Sequence, residues 1–221
     1  MQSTSTIKAS VIVAFIGFIM FMVFGTLALV LYPPIWNIFD DSFSTAGAII
    51  PGNPGTVLML NGLAMAGILM IPISLIYVKH YLKEGSKIKY LIIICFFMQV
   101  ISRVFMIFVG LFPTKPWGSL HDNFAIVWFG GEALVTIILS FLMLGTKKTK
   151  EINKDIPLGI VYLILNAVSF FFWLPCILEI WEGMAIPELY SVGVIYSFSM
   201  ILWGRAYNGK FVIGPDISKL K

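Results

Sequence analysis

The chain has 221 residues, 59% of them hydrophobic and only 12% charged. That is too apolar to keep a folded surface in water, where soluble domains carry roughly a quarter charged residues. The net charge of +4 does not point to nucleic acid, because 13 of the 15 basic residues fall where one face of a membrane is expected.

Six apolar runs, at about 9–32, 55–78, 89–112, 123–145, 157–181 and 186–206, each meet the roughly 20 residues that a helix needs to cross a bilayer. They are continuous, without the roughly ten-residue alternation of transmembrane strands. The expectation is an all-α integral membrane bundle of six helices, one transmembrane domain over residues 1–221. Lys8 precedes the first run, and Lys79, Lys83, Lys87 and Lys89 separate the second from the third. Lys147, Lys148, Lys150 and Lys154 separate the fourth from the fifth, and Arg205, Lys210, Lys219 and Lys221 end the chain. By the positive-inside rule this side is cytoplasmic, which predicts both termini in the cytoplasm and residence in the cell membrane. Asp40, Asp41, Asp122, Glu182 and Glu188 fall on the outer side.

The first run exceeds the roughly 7–15 residues of a signal-peptide core, so it reads as a retained anchor. The segment 33–54 is turn-rich yet carries Ile35, Phe39, Phe43, Ile49 and Ile50. It is expected to fold back over the helices as a cap, or else to lie at the interface without a role. In the second run Asn61 precedes Gly62, Ala66 and Gly67, a pattern suited to a close helix contact bridged by the amide, or to a ligand. Pro72 predicts a kink. His80 reads as solvated.

The third run holds Gln99 and Arg103, four apart and therefore on one face. A short loop with the order Phe112-Pro113…His121-Asp122-Asn123 leads into the fourth, where Gly130 and Gly131 precede Glu132. Arg103 lies about 15 Å before that loop and Glu132 about 14 Å after it, at 1.5 Å per residue. An antiparallel hairpin brings both near the middle of a hydrocarbon layer about 30 Å thick. Opposite charges at one depth in lipid are expected to pair, for function or only to fix helix register. The two glycines would admit the third helix, or a ligand, close to the carboxylate.

In the fifth run Asn166 and Ser169 share a face that can point to the same centre, while Glu179 lies near water. Trp36, Trp117, Trp181 and Tyr190 are expected at the outer interface, and Tyr77, Tyr90, Trp203 and Tyr207 at the inner one. The tail from Asn208 reads as flexible. Cys95 and Cys176 differ in depth by far more than the roughly 6 Å reach of a disulfide, and both read as packing residues.

His80 and His121 fall at opposite faces, which excludes a haem ligated within the bundle. An outer cation site from His121, Asp122, Asp40 and Asp41 lacks supporting ligand spacing. No metal and no cofactor are expected, and no catalytic signature appears. What remains is a polar centre of Asn61, Gln99, Arg103 and Glu132, with Asn166 beside it, under an outer lid of Asp40, Asp41, His121 and Asn123. An arginine clamps a carboxylate or phosphate in two places, and Glu132 would balance its charge or accept a proton.

An outer acidic loop, Asn61-Gly62 with Gly67, Arg103, then Phe112-Pro113, with His121 eight residues later, and Ala125 follow in that order. This succession resembles the membrane-protein family known as domain of unknown function 998, grouped loosely with the Frag1/DRAM/Sfk1 proteins, some linked to lipid remodelling. The resemblance covers all six helices and implies that fold and these positions, but no reaction. Where the family has asparagine directly after the histidine, this chain has Asp122, with Asn123 one further on.

The expectation is a membrane protein that binds or handles a lipid or a small anionic ligand in a buried polar pocket in its outer half. The alternatives are small-solute or proton-coupled transport, for which the polar positions show no inverted repeat, or a non-catalytic place in a larger membrane complex. The expected partners are membrane lipids or other membrane subunits, not nucleic acid.

Overall fold

In lipid a backbone must satisfy its own hydrogen bonds, and an apolar run of some 20 residues does so as a helix. The computed structural model describes residues 4–33, 36–83, 88–145, 155–178, 180 and 183–211. Six helices form among them: α1 (Thr4–Val30), α2 (Gly55–Tyr81), α3 (Lys89–Leu111), α4 (Thr114–Leu144), α5 (Ile156–Ile177) and α6 (Ala185–Tyr207). All six are long and apolar enough to cross a membrane, and no strand occurs among the described residues. Lys87, Lys147, Lys148, Lys150, Lys154, Lys219 and Lys221 lie outside the described residues, as do Ile35, Glu179, Trp181 and Glu182.

Consecutive helices pack side by side, and α6 returns to touch α1 and α4 as well as α5. Small residues set the closest approaches. A Cβ added at Gly67 of α2 would fall 2.8 Å from the Arg103 carbonyl oxygen of α3, and one at Gly131 of α4 would fall 2.0 Å from Ser102 Oγ of α3. α1 is more than an outer anchor: Phe21 is buried against Trp128 of α4 and Tyr196 of α6.

The end of the bundle that carries Asp40, His121 and Glu188 is here the loop end; the end that carries Lys8, Lys79, Lys89 and Arg205 is the lysine end. At the loop end the segment before α2 folds onto the helices through a short 3₁₀ helix, Phe43–Gly47. Ser42 starts it with a capping box: Ser42 Oγ accepts from Thr45 N at 3.1 Å, and Thr45 Oγ1 accepts from Ser42 N at 3.3 Å. Phe43, Ala46 and Ala48 are buried, whereas Phe39 and Ile49 stay exposed.

Four expectations change. The regular part of α4 begins after Gly118, ahead of 123: Lys115 and Gly118 leave helical geometry, and the chain beyond them is helical through His121, Asp122 and Asn123. Hydropathy marks where a helix enters lipid, not where its hydrogen bonding begins, so a polar first turn at the water boundary is not seen in an apolar run. Tyr77 and Trp203 are buried to within 1% exposure, not placed at the inner interface. The start of the tail also docks: Phe211 is buried, stacked on His80 with ring centroids 3.8 Å apart, and packed edge-on to Tyr77 and Tyr81, while the tail beyond it lies outside the described residues. His80 is therefore half-buried in an aromatic cluster, not solvated.

Candidate functional site

Gln99 and Arg103 point the same way from α3 because four residues make about one turn. Arg103 Nε lies 3.3 Å from Glu132 Oε1, and Gln99 Nε2 donates to Glu132 Oε2 at 3.0 Å. Ser74 of α2 joins them: its hydroxyl accepts from Arg103 Nη1 at 2.6 Å and donates to Gln99 Oε1 at 2.6 Å. Arg103 Nη1 also donates to the Met70 carbonyl, and the guanidinium lies 5.8 Å from the Trp203 ring centroid. Both hydrogen-bond routes start at the guanidinium and end on the carboxylate, the polarity an ion pair requires. The network ties α2, α3 and α4 together, and all four side chains are buried.

A second feature lies on the other side of α4. At the lysine end α5 presses against α4, where a Cβ on Gly159 would fall 2.7 Å from the Ser140 carbonyl oxygen. Toward the loop end α5 is held to α6 instead. Tyr162 Oη donates to Ser197 Oγ at 2.9 Å, Ser169 and Ser191 hydroxyls meet at 2.7 Å, and Trp173 Nε1 donates to Ser191 Oγ at 2.9 Å. The divergence of α4 from α5 leaves a cavity of about 670 Å³. Its walls are apolar, formed by Phe129, Ala133 and Ile137 of α4, Ile177 of α5 and Ile195 of α6. Ile126, Gly130 and Phe170 line it and are also exposed, so it opens sideways between α4 and α5.

The loop end of the cavity is polar, with Ser44, His121, Asp122 and Glu188. His121 Nδ1 bonds the Phe112 carbonyl at 2.7 Å. A carbonyl only accepts, so Nδ1 carries a proton and donates it. This contact also gives the Phe112-Pro113…His121 spacing a physical role: Pro113 ends α3, and the histidine nine residues after Phe112 satisfies a carbonyl of that helix end. Glu188 is buried in the first turn of α6 and accepts from the Phe43 amide, fastening the 3₁₀ helix over the bundle. Among the described residues, no lysine or arginine lines the cavity.

The expected site residues therefore divide. Gln99, Arg103 and Glu132 come together, but away from the cavity lining. His121 and Asn166 line the cavity, with Asn166 Nδ2 donating to the Tyr162 carbonyl at 2.7 Å. Asn61 is exposed and donates to the Val57 carbonyl of its own helix at 2.7 Å. Asp40 is exposed and accepts from Asn37 Nδ2. The Asp41 carboxylate accepts from Asn37 N at 2.8 Å, and its carbonyl accepts from Ala185 N at 3.1 Å. Glu188, Ser191 and Trp173 were not singled out as site residues. The signal available for Glu188 was an acid inside the start of an apolar run. Gly130 and Gly131 take different parts: Gly131 admits α3, whereas a Cβ on Gly130 would meet nothing within 4 Å.

The family model described as "Protein of unknown function (DUF998)" matches residues 15–204. No curated protein and no solved structure matches the chain. The match begins in α1, ends in α6 and takes in both the Arg103 network and the cavity. This six-helix membrane protein therefore belongs to the family of unknown function DUF998.

Proposed function

We propose that the protein binds a membrane lipid, one acyl chain entering sideways into the cavity between α4, α5 and α6. The observation that carries this reading is the lateral mouth at Ile126, Gly130 and Phe170, joined to a polar end at His121 and Glu188. That is the shape of an amphiphile, and about 670 Å³ falls within the roughly 300–1,000 Å³ of small-molecule sites. An acyl chain gains little by leaving lipid for an apolar wall, so the polar end would supply the selectivity. With the lysine end in the cytoplasm, that polar end lies in the outer leaflet of the cell membrane.

In this reading Arg103 and Glu132 position helices and do not touch the ligand. A small anion is disfavoured, because carboxylates and no basic side chain line the cavity. A transport path would have to cross the lysine half, where Tyr77, Tyr81, Phe96, Trp203 and Phe211 are all buried. A place in a larger complex is the second reading. It is favoured by α5, the least buried of the six spans, which turns Ile160, Val161, Ile164 and Phe171 outward.

Native mass spectrometry in mild detergent tests the first reading, wild type beside Gly130→Trp and Arg103→Ala. Gly130 has room for a side chain, so the tryptophan fills the mouth of a folded protein. A retained lipid that is lost in Gly130→Trp but kept in folded Arg103→Ala is the expected result. A lipid retained equally by Gly130→Trp, or none retained by wild type, overturns it.

A further inference from the structure

We infer that the head group held at the polar end of this cavity is a protonated primary amine, carried on a single-chain amphiphile. This rests on the lipid-binding reading and goes further, to the chemistry of the head.

The two acids at that end, Asp122 and Glu188, offer carboxyl oxygens, while the Ser44 hydroxyl can donate or accept. Glu188 is 7% exposed and lines the cavity, as does Asp122, an acid at its exposed rim. His121 is 3% exposed; its Nδ1 donates to the Phe112 carbonyl, and its Nε2 has no hydrogen-bond partner among the described residues. Two of the donors that line the same space are engaged internally: Trp173 Nε1–H by Ser191, and one Asn166 Nδ2–H by Tyr162. A carboxylate or phosphate head would bring more acceptors to acceptors and more negative charge to two carboxylates. An aminium brings three N–H donors, no acceptor and one positive charge. An aminium at this end meets two acids of opposite sign, and each N–H directed to a carboxyl oxygen is a charge-assisted hydrogen bond.

Arg103, the residue that would have called for an anionic head, is 0% exposed and engaged by Glu132, Ser74 and Met70.

Cys176 lines the cavity, while Cys95 is 0% exposed. Alkylation of Cys176 by N-ethylmaleimide, followed by intact-protein mass spectrometry, therefore reports occupancy, with Cys176→Ser as the control for the labelled position. The probes share one chain: hexadecylamine, hexadecan-1-ol and hexadecanoate, added at neutral pH to the purified protein. Hexadecylamine is expected to protect Cys176 at a concentration about tenfold lower than the alcohol, the size of one charge-assisted hydrogen bond. That advantage is expected to shrink in Glu188→Gln and in Asp122→Asn. Because Glu188 also fastens the 3₁₀ helix, Asp122→Asn, at an exposed position, carries the test alone if Glu188→Gln does not fold. If the alcohol or hexadecanoate protects as well as the amine, the head-group inference falls and the lipid site stands. If none of the three protects, the lipid site falls and the inference with it.

Discussion

Arg103 Nε lies 3.3 Å from Glu132 Oε1, and the helix that carries the glutamate has a second, different face. Trp128, Glu132, Val135 and Leu139 of α4 turn into the bundle and are buried. Ile126, Gly130, Ala133 and Ile137 of the same helix line the cavity. The ion pair and the cavity wall therefore lie on different faces of α4, one turned to α3 and the other to α5 and α6.

Removing one partner leaves the other as an uncompensated buried charge. Arg103→Leu or Glu132→Leu alone is expected to cost about 3–5 kcal/mol, and the double change distinctly less than the sum. Thermal unfolding in mild detergent measures all three. Additive losses would mean that the two residues are not coupled.

Adjacent glycines of α4 are expected to respond in opposite ways. A Cβ at Gly131 meets Ser102 Oγ at 2.0 Å, whereas one at Gly130 meets nothing within 4 Å. Gly131→Ala is expected to destabilise by about 1–3 kcal/mol, as overpacking does, and Gly130→Ala to be neutral or better. Ser102→Ala should restore part of the Gly131→Ala loss. Equal melting temperatures for the two alanine variants would contradict the α3–α4 contact.

Glu188 accepts from the amides of Phe43 and Ser44. Glu188→Ala is expected to release the 3₁₀ helix locally, raising hydrogen exchange at those amides by a factor corresponding to about 1–3 kcal/mol. The inner turns of α2 and α3 should keep their protection. Unchanged exchange at Phe43 would show that the segment is held by its apolar contacts alone.

Phe211 packs on His80, Tyr77 and Tyr81. Phe211→Ala is expected to weaken that docking by roughly 2 kcal/mol or more. Trypsin should then cut after the exposed Lys210 faster than in the wild type. A cleavage rate equal to wild type would mean that the stack does not hold the tail.

Much of this was legible in the sequence, for a definite reason. A membrane requires some 20 apolar residues per span, so the six helices could be counted directly. A charge in lipid needs a partner at its own depth, so Arg103 and Glu132 could be matched from helix rise alone. The rotation of each helix was not legible in the same way. Lipid tails are as apolar as a packed interior, so a spanning helix is hydrophobic on every side and its buried face carries little pattern. Asn61 turned outward, and Tyr77 and Trp203 turned inward, on that account. The cavity was decided by tertiary structure alone. Gly159 lets α5 touch α4 at one end, Ser191 draws α5 to α6 at the other, and the space between them exists only because those distant contacts pull one helix two ways.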